Sequence, residues 1–369
     1  SKAVHHRSPK ESKNDHRAEK QQLPSTSSLA AAALAGIALA LGWAHISNKR
    51  TASLSSEDML LKMVRRSPSF ELSNKGSRVL SATNLIRAGT VLMEIPRELM
   101  IWDLDAARDN FVQKELFSAP FLSAETTDTM SKRAIILAAY LALLRKEVVS
   151  PSGEFPLQTL VAQTLPSYED YASFHPVVVD LETIREYLGE HSIAYLHLDH
   201  VREKLTREYD QLSASSRNFA QQVSREEYLA CRLAVQSRAF QGKQLTELDL
   251  PEDEREYYRK TIGIDFSNFV SMEPVNDFMN AHVNNNVKVS DYDPVTRTGK
   301  ARAVKDILDG QELINSYGKF YDFVLFGQYG FVPTDGTGTS IASMFVHHDI
   351  HLMSEIVGEV EGRGYSRGG

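Results

Sequence analysis

Cysteine is nearly absent from this sequence: 369 residues contain one, Cys231. One thiol can form neither an internal disulfide nor a cysteine-rich zinc cluster, so covalent staples and a structural metal are not expected. Positive charge is scarce outside the first 50 residues. Those hold eight Lys/Arg against three Asp/Glu, so the remainder carries −12 of a formal net charge of −7. An acidic body argues against a nucleic-acid partner and is compatible with a basic protein segment. What is present is ordinary for a globular chain, 42% hydrophobic and 24% charged residues, enough for one large domain or two smaller ones.

Along the chain, composition marks out segments. Residues 1–28 are polar and lack the apolar payload to offset ordering entropy, and are expected to be a disordered tail. Residues 29–46 (LAAAALAGIALALGWAHI) carry no formal charge. A run of this length reads as a short transmembrane helix, or as a cleaved targeting segment or an Ala-rich helix. Basic residues flank both ends, so charge does not orient it. The expectation is a chain anchored in a membrane facing the cytosol, or targeted to an organelle if the segment is cleaved. Residues 47–69 follow as a linker. The first residue is Ser, as in a fragment of a longer protein.

From Ser77, RVLSATNLIRAGTVLMEIP reads as two strands and a turn, with aliphatic runs punctuated by Gly89 and closed by Pro96. Residues 104–235 show helical periodicity instead, most clearly in 132–147, 182–190 and 200–212. Strand-like segments then resume: VNNNVKVS, a hairpin connection over DYDPVTRTGK punctuated by Pro294 and Gly299, then KARAVKDI, GQELINSYG and QYGFV. Two clusters stand out. PVNDFMNAHVNNN (274–286) packs Asn276, Asp277, Asn280, His282, Asn284, Asn285 and Asn286 together, a density suited to a polar loop. NSYGKFYDFVLFGQYGF (315–331) interleaves Tyr317, Phe320, Tyr321, Phe323, Phe326, Tyr329 and Phe331 with Gly318 and Gly330. That is an aromatic core, or a wall where backbone approaches a ligand beside a phenol.

The order of the segments carries a resemblance. SRVLSATNLIRAGTVLMEIP, a helical stretch containing TLPSYEDY, VSREEYLACRLAVQSRAF, PVNDFMNAH, GQELINSYG and QYGFV follow one another as in the Rubisco large-subunit methyltransferase-like branch of SET proteins. The resemblance runs from about residue 74 to 332. It implies an α+β SET fold of small sheets with a knot-like C-terminal threading: a SET N-terminal part at 70–103, a helical insert at 104–225, a SET C-terminal part at 226–333 and a short tail at 334–369 in place of the branch's helical substrate domain. The cofactor it implies is S-adenosylmethionine, and the acceptor a protein lysine N6 or a histidine. No metal is implied. Tyr317 would be the catalytic residue, orienting the acceptor. Arg238 would pair with the cofactor's carboxylate, Asn280 would bind its amino group, Asp277 would brace the loop, and Phe331 would pack on the adenine. Tyr329 would line the acceptor channel. Ser77, Arg78, Val79 and Ala281 occupy further cofactor positions, but with departures. The branch's opening Gly-x-Gly is Ser77-Arg78-Val79 here, and its His is Ala281, with His282 one place later. Those departures give the alternative expectation of a non-catalytic SET-fold binding or scaffold protein.

Overall fold

The computed structural model describes residues 60, 63–66, 69–73, 79–123, 128–153, 155–243, 250–318 and 320–332. The segment 29–46 and the turn residues Ser77 and Arg78 lie outside the described residues. Among the described residues no helix is long and apolar enough to cross a membrane.

Among the described residues the strands are short and distributed over four small sheets. Strands β1 (Arg65–Arg66), β2 (Phe70–Ser73), β3 (Val79–Ala82), β4 (Val91–Pro96) and β5 (Ile101–Trp102) precede the helices. Strands β6 (Ala239–Lys243), β7 (Asn268–Met272), β8 (Asn280–Ala281), β9 (Val287–Asp293), β10 (Thr298–Ala303) and β11 (Ile314–Asn315) follow them. The sheets run β1-β4-β10-β9, β2-β3, β5-β7-β6 and the parallel pair β11-β8. The two strands read from 77–96 are both present but do not pair with each other: β3 bonds to β2, and β4 to β1 and β10. Gly89 makes the turn between them at φ +85°.

The β9–β10 hairpin forms as read, with one correction. Its turn is made by Asp293, whose carboxylate accepts from the N–H groups of Val295 (3.0 Å) and Thr296 (3.3 Å), and by Arg297 at φ +52°. Gly299 is not a turn residue. It sits in β10 opposite Ile95 and Tyr292 at an irregularity in register, where a Cβ would run into the Met100 methyl.

Between β5 and β6 the chain is helical, and three of its helices shape the site: α1 (Thr129–Arg145), α2 (Tyr168–Ala172) and α3 (Ile193–Ser215). Helix α1 is buried on nearly every side, which explains its all-round apolar sequence. Its two buried cations are matched. Arg133 donates to Asp103 (2.9 Å) and to the Asn268 carbonyl (2.6 Å), and Lys132 to the Ile262 carbonyl (3.0 Å). Helix α4 (Arg225–Arg238) starts at a reciprocal cap, Ser224 accepting from Glu227 N–H and Glu227 from Ser224 N–H. It packs against α1 and runs directly into β6, so Arg238 stands at the helix-to-strand junction.

A second correction concerns the aromatic cluster. Residues read as ending in a strand, QYGFV, instead close a helix, α5 (Asp322–Tyr329). Phe323 and Phe326, three apart, bury one face together with Leu325, and Gly330 ends the helix at φ +78° with its N–H on the Phe326 carbonyl. Aromatic and β-branched content is shared between strands and buried helices, and here the spacing of three decides.

Candidate functional site

The Asn-rich segment divides by burial. Asn286 is buried and ties two chains together: its side chain accepts from Ile314 N–H (2.7 Å) and donates to the Glu312 carbonyl (2.7 Å). With β8 parallel to β11, and His282 N–H on the Asn315 carbonyl (3.0 Å), this lays 280–286 beside 312–318. The pairing is the crossing that the knot-like threading requires. It delivers Tyr317 next to the polar loop, where its hydroxyl donates to the Met279 carbonyl at 2.9 Å.

A cavity of about 470 Å³ opens at this crossing. The polar loop contributes Asp277, Asn280, Ala281 and His282, and the crossing strand Tyr317. The end of α4 adds Ser237 and Arg238, and the chain at and beyond the end of α5 adds Tyr329, Phe331 and Val332. Seven of the ten positions drawn from the resemblance therefore meet in one volume: Arg238, Asp277, Asn280, Ala281, Tyr317, Tyr329 and Phe331. Val79 opens β3 and does not line the cavity, so it does not fill the site in place of the missing glycine turn. Four lining residues were not anticipated: Tyr171 of α2, Phe174 three positions on, Ser237 and Val332. Tyr171 is the last residue of the TLPSYEDY segment, whose Ser167 and Asp170 cap α2 reciprocally.

Charge and aromatic surface are separated within the cavity. Arg238 Nη1 donates to Asp277 Oδ2 at 2.8 Å, while Arg238 Nε and Asp277 Oδ1 are enclosed without a hydrogen-bond partner. Burial works against the guanidinium's charge, but Tyr171 and Asp277 outweigh it and hold the group above its usual range. Asn280 is exposed, and its amide N–H is already given to Glu312 (2.6 Å), leaving its oxygen to face a donor. On the other side the ring centroids of Tyr317 and Tyr329 lie 4.8 Å apart, with Phe331 6.4 Å and 6.1 Å from them. Burial pushes the Tyr317 phenol up to about 12, opposed by Arg238 and reinforced by Asp277 and Tyr329. It is therefore a neutral donor and not a base at physiological pH.

Helix α5, which ends in Tyr329, is held at its C-terminal end. Gln236 of α4 donates to the Gly327 carbonyl at 3.3 Å. His175 accepts the Val177 N–H at Nδ1 (3.3 Å), which leaves its Nε2–H for the Gln328 carbonyl at 3.4 Å. Both free carbonyls of the helix end thus meet side chains from the helical insert and α4.

The sequence matches the family model described as SET domain over residues 77–318. This chain belongs to the SET-domain family. The SET fold is also found in the solved structures it resembles. The SET domain of LSMT bound to lysine and AdoHcy superposes with a TM-score of 0.53 at 14% identity, over 77% of this chain and 58% of that one. Rubisco LSMT bound to AdoMet gives 0.51 at 15% identity, over 77% and 57%. Rubisco LSMT bound to sinefungin and monomethyllysine gives 0.50 at 15% identity, again over 77% and 57%. The SET chain described here spans less than three-fifths of the length of those structures. No curated protein matches the sequence.

Proposed function

We propose that this SET protein transfers a methyl group from S-adenosylmethionine to the Nε of a lysine in a protein substrate. The observation that carries the reading is a single cavity in which a partly open Arg–Asp pair and a cluster of aromatic rings face the same volume. Its size is that of a small-molecule site. The solved SET structures of the same fold hold AdoMet, AdoHcy, lysine and monomethyllysine.

The residues present suit an amino-acid-bearing sulfonium. Arg238 and Asp277 stand together on the cavity wall, joined through one nitrogen and one oxygen, and a zwitterionic end would meet a group of each charge there. Arg238 would hold the carboxylate, the Asn280 oxygen the amino group, and Phe331 the adenine face. When bound, S-adenosylmethionine supplies an electrophilic methyl carbon; Ala281 would border the cofactor from the cavity wall, and Ser77 and Arg78 are proposed as further cofactor-binding positions. Tyr317, anchored on the Met279 carbonyl, would orient the acceptor nitrogen and contact the reacting methyl through its oxygen. Tyr329 would form the channel wall. The lysine must shed its proton before attack, and an aromatic channel beside a positive charge pulls its ordinary value of about 10.4 downward. Tyr317 and Tyr329 would hold the deprotonated lysine nitrogen where it could take the methyl group. Positioning, not a strong acid or base, supplies the acceleration.

The test is incubation of the 369-residue chain with methyl-labelled S-adenosylmethionine and a mixture of unmethylated proteins, followed by acid hydrolysis and amino-acid separation. Label in Nε-methyllysine that disappears in Tyr317→Phe is the expected result. Label found only in methylhistidine would overturn the lysine assignment, and a chain that binds the cofactor but never transfers label would favour the scaffold reading.

A further inference from the structure

The segment that carries Asp277 contains a backbone conformation its sequence should avoid. Val275 sits at φ +75°, ψ −41°, fully buried. A β-branched residue there is a genuine outlier and persists only where its surroundings over-determine it. The topology says why the chain must turn so sharply. Met272, the last residue of β7, lies opposite Ala239, the residue after Arg238. Within five residues of Met272 the chain has to reverse and bring the Asp277 carboxylate back onto the Arg238 guanidinium.

One side chain spans that reversal. Glu273 accepts from the Asn276 amide on one oxygen (2.8 Å) and from the Ser271 hydroxyl on the other (2.8 Å). It thereby bridges the strand before Val275 and the 3₁₀ turn Asn276–Phe278 after it. Both Glu273 and Asn276 are buried, and among the described residues no cation pairs with Glu273. Burial pushes its carboxyl up to about 6. A carboxyl enclosed without a counter-charge is costly to a fold, and what this one does is close the ends of the strained turn.

We propose that Glu273 is a positioning residue that holds the Val275 turn closed and so sets Asp277 against Arg238, tuning the grip on the cofactor's amino-acid end. The inference rests on the methyltransferase reading for the identity of the ligand, but not for the clamp itself.

The test uses the full chain with two size-matched substitutions: Glu273→Gln, which keeps an acceptor for Asn276, and Glu273→Met, which does not. Without any ligand, a double-mutant cycle between Arg238→Met and Asp277→Asn, read in thermal stability, should show coupling in the parent and in Glu273→Gln and none in Glu273→Met. Titrated with S-adenosylhomocysteine, Glu273→Met should bind about tenfold or more weakly and Glu273→Gln within about twofold of the parent. In the Asp277→Asn background the Glu273→Met effect should shrink to less than about twofold, since it acts through Asp277. Undiminished Arg238–Asp277 coupling in Glu273→Met overturns the proposal, as does a Glu273→Met penalty that adds in full to Asp277→Asn. A folded parent that binds no S-adenosylhomocysteine would instead fail the methyltransferase reading, while the ligand-free cycle still decides the clamp.

Discussion

Two of the three arginines of helix α4, Arg232 and Arg238, stand six positions apart in opposite circumstances. Arg232 is enclosed, its side chain 7% exposed, and donates through Nε (2.9 Å) and Nη2 (3.4 Å) to both oxygens of Glu208 on α3, which also accepts from the Tyr228 hydroxyl. Arg238, at 25% exposed, meets Asp277 through one nitrogen on the wall of the cavity. A guanidinium has five N–H donors, and the protein uses them differently at the two places. At Arg232 they are turned inward to lock α3 to α4. At Arg238 part of the fork is left over at a site where a ligand can reach. Ion pairing alone therefore does not separate an architectural arginine from a binding one; incomplete satisfaction beside a cavity does.

The comparison breaks first at stability. Arg232→Ala should cost about 3–5 kcal/mol, since it strands Glu208 in the core, and should leave cofactor affinity of the folded protein unchanged; chemical denaturation followed by titration checks both halves. Arg238→Ala should act more on binding, weakening S-adenosylmethionine affinity about 100-fold while costing less stability than Arg232→Ala, since its side chain is 25% exposed against 7%. Tyr317→Phe groups with Arg238. It should slow turnover by roughly tenfold to a hundredfold, with cofactor affinity within about threefold, because the lost hydroxyl serves the reacting atoms more than the bound state. The smallest effect is expected at His175, which groups with Arg232. Burial pushes this imidazole, and that of His197, down to about 4 from 6.5. A histidine depressed in the folded state contributes stability that is complete above about 6.5 and lost as pH falls toward 4. Asp103 and Glu273, pushed up to about 6 by burial, act with the opposite sign, their contribution being present at low pH and lost as pH rises through 6. The difference between parent and His175→Gln in melting temperature against pH isolates the imidazole, and should show the parent losing more between pH 6.5 and 4.

Much of this architecture is legible in the residues. The helical block, the hairpin at 287–303 and the order of the motifs follow from periodicity and turn chemistry, and the ordered motifs point to the family that the match over 77–318 establishes. Asn280 and Tyr317 could be singled out because each lies in a short segment of unusual composition, Arg238 could be through the resemblance alone, and the fold does bring all three to one cavity. Tyr171 and Phe174 could not. Helical spacing tells which face of α2 is buried but not that the burial is against Arg238 from a segment 60 or so residues later. The α5 helix was obscured by its own aromatic richness, which serves strand and helix alike. Val275 gave no warning either, since a positive φ is normally announced by glycine or asparagine, and here it is imposed by a reversal between β7 and β8 that only the tertiary structure requires.

The central claim is that the volume between Arg238, Asn280 and Tyr317 is an S-adenosylmethionine site. Calorimetric titration of S-adenosylmethionine into the folded 369-residue chain tests it most directly. The account predicts one site with a dissociation constant on the order of micromolar, abolished in Arg238→Ala and retained in Arg232→Ala at a temperature where both are folded. A folded parent that takes up no S-adenosylmethionine, or one whose binding is indifferent to Arg238, would contradict it.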